Sequence, residues 1–284
     1  MARIFITGAN GMLGRSLVRV LEEDNQLLPT DLPGTDVTEI DSLISQVSDF
    51  GPEMVIHLAS MTDVDRCEED PESAFRINSL GTRNVALACA ENDAVMVYIS
   101  TGSIYNGKKE TPYTEYDNPD PVNAYGRSKY FGEVYMRDIL NRFYIFYTCW
   151  LFGGAGEDKK FIPKILELAS NRDVLDVVDD KYGSPTYTND LAREISGVIR
   201  TGYYGRYHCA NSGFVNRYEE AVEILKIAGI TGCSINPVSS DRFNLPAPRP
   251  RSEALANYNL SLMGRKPMRS WREALSEYIV TELA

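Results

Sequence analysis

Apolar residues in the first half of the chain alternate between short continuous runs and longer stretches of helical period. RIFIT (3–7) is an apolar run that ends at glycines and predicts a buried strand. SLVRVLEED (16–24) follows with a helical pattern, and QLLPTD (26–31) predicts a second strand ending at Asp31. IDSLISQVSDF (40–50) is an amphipathic helix, and PEMVIHLAS (52–60) a third strand. PESAFRINSLGTRNVALACAEN (71–92) carries one long helical period, AVMVYIST (94–101) is a fourth strand, and RFYIFYTCW (142–150) a later one. Strands alternating with helices at this spacing predict an α/β fold: a Rossmann-type, doubly wound parallel sheet.

The second half is less regular. IPKILELASNR (162–172) is a helix, and residues 173–200 run strand, loop, helix. GRYHCAN (205–211) is strand-like, RYEEAVEILKIAGI (217–230) is a helix, PAPRPRSEAL (246–255) is a proline-rich turn region, and SWREALSEYIVTEL (270–283) closes as a helix. No repeat or linker interrupts it, so the second half is expected to pack directly on the first. The expected division is a dinucleotide-binding domain over 1–155, rejoined by 174–205, and a smaller α/β substrate-binding region over 156–173 and 206–284.

Composition narrows the partners. With 284 residues, 43% hydrophobic and 24% charged, the chain has ample material for a core. No apolar run approaches membrane-spanning length, and the start MARIFITGAN lacks a signal-peptide pattern, so no membrane partner and a cytoplasmic location are expected. Five cysteines, an odd number without metal-ligand spacing, predict free thiols and no metal site; both histidines, His57 and His208, lie in strand-like contexts. A net charge of −11 argues against a general nucleic-acid partner.

TGANGMLG (7–14) sets Gly8, Gly11 and Gly14 between a strand and a helix. Glycines there permit a tight turn and close backbone approach to a pyrophosphate at the helix N-terminus. Asp31 ends the second strand, twenty residues past Gly11, where an acid hydrogen-bonds the adenosine ribose of NAD; Arg15 can instead offset repulsion of the extra phosphate of NADP. Asp36 and Val37 are placed to hold the adenine edge. The fourth strand ends in YISTGSIYNG (98–107), which puts Ser100, Thr101 and Ser103 at the carboxyl edge of the sheet, where ligands bind. In NAYGRSKYFGE (123–133), Tyr125 and Lys129 are four apart on a helix, hence neighbours, and a cation lowers a phenol's pKa from about 10. Such a phenol can exchange a proton with an alcohol or ketone.

Glycine turn, acid, HLAS, strand-end hydroxyl and Tyr-x-x-x-Lys helix occur in that order, and this resembles the extended short-chain dehydrogenase/reductase family over essentially the whole chain. The resemblance implies a catalytic group of Thr101, Tyr125 and Lys129, with NADH or NADPH held by Gly8, Asn10, Gly11, Met12, Leu13, Gly14, Asp31, Asp36, Val37, Ala59, Ser60, Tyr125 and Lys129. It makes Asn78 either a support of the proton path or a helix-to-sheet tether. MTDVDRCEEDPESAFRIN, TCWLFG, KYGSPTYTNDLA and PAPRPRSEAL resemble the dTDP-4-dehydrorhamnose reductase branch. That branch reduces the C4 ketone of dTDP-4-dehydro-β-L-rhamnose. The substrate residues it implies are Thr62, Val64, Gly102, Ser103, Trp150 (beside the sugar, or in the core) and Arg249 at the diphosphate.

Two departures stand out. The branch usually reads Ser-Thr-Asp-Tyr at the end of the fourth strand. Here Gly102-Ser103 follows Thr101, so an acid near the substrate is missing, and Tyr147 stands where an arginine is usual. A nucleotide-sugar ketoreductase, monomeric or homodimeric, is therefore expected, with the exact sugar open. The rival readings are an epimerase of the same superfamily and a regulatory subunit resembling the one that binds methionine adenosyltransferase.

Overall fold

The computed structural model describes residues 1–154, 158 and 160–283. The elements run β1 (Arg3–Thr7), α1 (Met12–Leu21), β2 (Gln26–Thr30), α2 (Ile40–Phe50), β3 (Met54–His57), α3 (Val64–Glu69) and α4 (Pro71–Phe75). They continue with α5 (Gly81–Glu91), β4 (Val95–Thr101), α6 (Ala124–Ile139), β5 (Phe143–Thr148), β6 (Leu151–Phe152), α7 (Phe161–Ala169) and β7 (Val174–Val178). The remainder is β8 (Tyr182–Gly183), β9 (Thr186–Tyr187), α8 (Thr188–Ile199), β10 (Gly205–His208), β11 (Val215–Asn216), α9 (Arg217–Ile227), β12 (Ser234–Val238), α10 (Tyr258–Leu262) and α11 (Trp271–Glu282).

Six strands form one sheet in the order β10-β5-β4-β3-β1-β2, every pair parallel. Parallel strands with both faces covered read as continuous apolar runs. Phe5, Val55, Met96 and Tyr98 pack into one face's core with Leu43, Val47 and Val85; Ile4, Ile6, Ile56 and Val97 pack into the other with Leu17, Leu191 and Ile195. The order reverses between β1 and β3, and a ligand crevice opens outside the carboxyl ends of strands at such a point. A third apolar cluster lies in the second half, where α7, α9 and α11 bring Ile162, Ile165, Ile224, Leu225, Leu275 and Tyr278 against Phe152 and Tyr187.

The expected division shifts in two places. β10 is an edge strand of the central sheet rather than part of the second region, because its parallel register with β5 continues the sheet. β7, expected to rejoin the first domain, instead pairs in parallel with β12. The expected boundary between 155 and 156 lies outside the described residues.

The long helix over 71–92 is interrupted. α4 ends at Phe75, a π-helical turn spans Arg76–Leu80, and α5 begins at Gly81. Asp70 caps α4 by accepting from the Ser73 amide. A π-turn inserts an extra residue into the helix and redirects the side chains around it. Asn78, within that turn, is 1% exposed.

Candidate active site

The glycine turn is built by steric necessity at two of its three glycines. Gly8 has φ +68, and a Cβ there would lie 2.6 Å from the Ala59 amide nitrogen. A Cβ on Gly14 would lie 2.5 Å from the Ala9 carbonyl oxygen. Gly11 is different: its Cβ would meet only the Gly8 oxygen at 3.4 Å, and as N-cap of α1 it offers no side-chain cap. The first amides of α1 therefore keep the donor character of an uncapped helix N-terminus, which favours an anionic ligand. The cradle fits a dinucleotide pyrophosphate.

Asp31 sits at the far end of this turn. Its carboxylate accepts from the Asn10 amide at 2.9 Å and from the Leu32 amide at 2.8 Å. Arg15 donates to the Asn10 carbonyl oxygen at 2.9 Å. Acid and base thus flank one loop. Asp36 accepts from the amide and hydroxyl of Thr38, which fixes the loop before α2. Val37 and Leu13 are core side chains, 4% and 7% exposed, so they can serve a ligand through the backbone alone. Met12 opens α1 and is half-buried.

Across the crevice, Asn78 uses its full hydrogen-bonding capacity. Its oxygen accepts from the Ser60 hydroxyl and the Met61 amide, both at 2.8 Å; its nitrogen donates to the Met61 carbonyl at 3.0 Å and the Ser128 hydroxyl at 2.9 Å. These bonds lock the Ser60–Met61 loop to α6 beside Lys129. Thr62 is exposed and Val64, first residue of α3, is half-buried.

The N-terminus of α6, the helix of Tyr125 and Lys129, is tied from three sides. Asn123 caps it through the Gly126 amide at 2.8 Å and donates to the Pro248 carbonyl at 2.9 Å, while Glu68 of α3 accepts from the Ala124 amide at 2.7 Å. Thr101 ends β4 and its hydroxyl accepts from the Ser103 amide at 3.1 Å. Burial pushes the Tyr125 phenol up; a hydrogen bond from the Thr101 side pulls it down, and the Glu253 charge pushes it further up. Lys129 is 4% exposed, its ammonium 4.3 Å from the centroid of the Tyr98 ring. Burial lowers Lys129 to about 7. Burial is the largest influence on the Tyr125 phenol, ahead of the Thr101 side chain and the Glu253 charge. His57 accepts or donates between Thr7 at 2.8 Å and Thr82 at 3.1 Å, and burial lowers it to about 3, so it is neutral and structural.

Ser103 and Trp150 converge on a carboxylate that sequence reasoning missed. Glu253 accepts from the Ser103 hydroxyl, and from the Trp150 indole nitrogen at 3.1 Å. Trp150 has φ +47, a left-handed conformation that a bulky residue holds only under constraint. The Arg217 guanidinium carbon lies 3.4 Å from its ring centroid, and a Cβ on Gly183 would fall 2.3 Å from the indole. Arg249, by contrast, is committed to an ion pair with Asp65 of α3 at 2.8 Å and to the Ala247 carbonyl at 2.9 Å. That pairing ties Arg249 to the residue that follows Val64 on α3. The one sequence signal for Glu253 is indirect: Gly102 where an acid is usual.

All five cysteines are buried free thiols. Among the described residues, no group of three or more His, Cys, Asp or Glu side chains is placed to hold a metal, and no helix is long and apolar enough to cross a membrane.

A parallel sheet with its switch point at a glycine turn, and a Thr-Tyr-Lys group at the strand ends, define a short-chain dehydrogenase/reductase of the extended type. Residues 2–283 match the family described as the RmlD substrate binding domain, and the chain belongs to that family. A dTDP-4-dehydrorhamnose reductase of Mycolicibacterium smegmatis is 36% identical over 98% of this chain and 85% of its own. A dTDP-4-keto-6-deoxy-D-glucose reductase of Streptomyces niveus is 33% identical over 97% of this chain and 96% of its own. The crystal structure of dTDP-4-dehydrorhamnose reductase from Bacillus anthracis in complex with NADP superposes with a TM-score of 0.94 at 36% identity, covering 98% of this chain and 99% of that one.

Proposed function

We propose that this protein is an NAD(P)H-dependent ketoreductase. It reduces the C4 ketone of a nucleotide-activated 4-keto-6-deoxy sugar, and the sugar we assign is dTDP-4-dehydro-L-rhamnose, giving dTDP-L-rhamnose. The observation that carries this reading is the placement of Thr101 at the carboxyl end of β4 and of Tyr125 on α6, one helical turn from buried Lys129.

Gly8, Gly11 and Gly14 with the first amides of α1 would hold the pyrophosphate, Asp31 the adenosine ribose, and Ala59 and Ser60 the nicotinamide side. When bound, the reduced nicotinamide supplies a hydride to the carbonyl carbon. Tyr125 donates its proton to the carbonyl oxygen. A phenol pushed up by burial is fully protonated at neutral pH, which suits donation in the reducing direction. Thr101 orients the oxygen by hydrogen bonding. Lys129, with a pKa of about 7, places partial positive charge near the developing anion and can reprotonate the phenolate side of the site. Trp150 and Ser103 bound the sugar, and Arg249 with Val64 the diphosphate end. The central-sheet unit would thus hold the dinucleotide and the α7, α9 and α11 region the nucleotide sugar. Five buried free thiols support a reducing, cytoplasmic setting.

The test is to mix the protein with dTDP-4-dehydro-L-rhamnose and either NADH or NADPH and follow loss of reduced-cofactor absorbance. Stoichiometric oxidation that disappears in Tyr125→Phe supports the reading and chooses the cofactor. No oxidation by protein shown to bind the cofactor overturns the sugar assignment.

A further inference from the structure

Glu253 is built into the site from every side. Its amide donates to the Tyr182 carbonyl at 2.9 Å, and its own carbonyl accepts from the Cys149 thiol at 3.2 Å, so the backbone is pinned between two strand ends. Its carboxylate bridges Ser103 and Trp150, one oxygen to each. A carboxylate has about four acceptor positions, and these two bonds leave two unused. Its charge reaches the Tyr125 phenol.

Gly102 is the other half of the arrangement. A Cβ at 102 would come within 2.9 Å of the Glu253 carbonyl oxygen and 3.3 Å of the Glu253 Cβ. A side chain at position 102, just past the end of β4, would collide with the Glu253 backbone in this position. The acid missing after Thr101 is therefore replaced by one arriving from a loop 150 residues further along the chain.

We propose that Glu253 is a specificity-determining residue that accepts a hydrogen bond from a sugar hydroxyl neighbouring the reacting ketone, with Ser103 and Trp150 holding its carboxylate in place. This rests on the nucleotide-sugar reading above. Even half-buried, an acceptor already held by Ser103 and Trp150 discriminates for a hydroxyl, because a ligand lacking it covers the acceptor and leaves it unpaired.

The experiment measures binding, so it does not depend on turnover. Affinities of dTDP and of dTDP-L-rhamnose are compared by calorimetry for wild type, Glu253→Gln and Glu253→Ala, each with a melting curve to confirm folding. Wild type should bind dTDP-L-rhamnose at least ten-fold more tightly than dTDP. Both variants should lose most of that ratio while their affinity for dTDP stays within two-fold. A variant that keeps the full ratio, or a wild type with no ratio to lose, overturns the proposal. Absence of ketone reduction by a wild type that shows the ratio would instead count against the catalytic reading alone.

Discussion

Arg217 covers the face of Trp150, its guanidinium carbon 3.4 Å from the ring centroid, and is itself held by Glu220 at 2.7 Å. Glu220 is 1% exposed, so Arg217 does two jobs: it neutralises a buried acid and clamps the indole that donates to Glu253. Removing one partner of a buried pair costs about 3–5 kcal/mol, more than the pair contributes when intact. Arg217→Ala is expected to melt much earlier than wild type. The double variant Arg217→Met, Glu220→Gln should regain most of that stability yet keep a raised KM for the sugar nucleotide, since the indole is no longer clamped. Melting curves and steady-state kinetics on both variants check this; a double variant with wild-type KM would remove Arg217 from the substrate platform.

Tyr125→Phe deletes only the phenol oxygen, which burial already disfavours as an anion. General acid catalysis contributes typically 10²–10⁴-fold. The variant should lose roughly that factor in kcat with cofactor affinity unchanged and a melting temperature equal to or above wild type. Fluorescence titration of the reduced cofactor and single-turnover rates separate the two effects. Retained kcat would move the proton donor elsewhere.

The elements of the first half were legible because parallel strands buried on both faces give unbroken apolar runs between helical periods. The π-turn at 76–80 was not, since Arg76 to Leu80 has an ordinary helical composition and the insertion shows only in the hydrogen bonding. β12, SINPV, was missed because proline and polar residues at a sheet edge carry no strand signal. In the site, Tyr125 and Lys129 stand out by their four-residue spacing, while Thr101 is singled out from Ser100 and Ser103 at the strand end only by the family resemblance. Glu253 stands out by neither: it reaches Ser103 and Trp150 through the fold, from a loop with no periodicity of its own. Arg217 is likewise an ordinary helix-opening residue until α9 docks.

Lys129 makes stability depend on pH in a definite direction. Its folded pKa is lowered to about 7 by burial, below the ordinary lysine value of about 10.4. Between those values the unfolded chain binds more protons, so stability rises with pH across that window. Below pH 7 both states are protonated and the full penalty applies. Lys129→Met removes it and is expected to be inactive but more stable at pH 7, on the order of 1–3 kcal/mol. The gap should close between about pH 7 and pH 10 in paired melting curves. A gap independent of pH would mean that packing, not charge, sets it.

Glu133 of α6 presents the opposite sign. It is fully buried, and neither carboxylate oxygen closes a hydrogen bond; the facing Tyr147 hydroxyl, standing where the resembled branch has an arginine, is likewise unpaired. Its nearest cation is Arg137 at 3.5 Å, on the half-exposed side of the same helix. Burial raises the Glu133 pKa, and the charges of Arg137 and Arg206 oppose it only in part. The folded state therefore holds its proton to higher pH than the unfolded chain, and stability falls as pH climbs from the ordinary carboxylate value of about 4.3 through the raised one. Glu133→Gln keeps the shape and removes the charge. At pH 8 it should stabilise the protein by roughly 1–2 kcal/mol, a shift of about 2–4 °C per kcal/mol for a chain of this size class. Near pH 4, where the wild-type carboxyl is also neutral, the two proteins should melt together. Melting curves from pH 4 to pH 8 decide it: a glutamine variant less stable at pH 8 would show that the carboxylate is charged and that Arg137 compensates its burial.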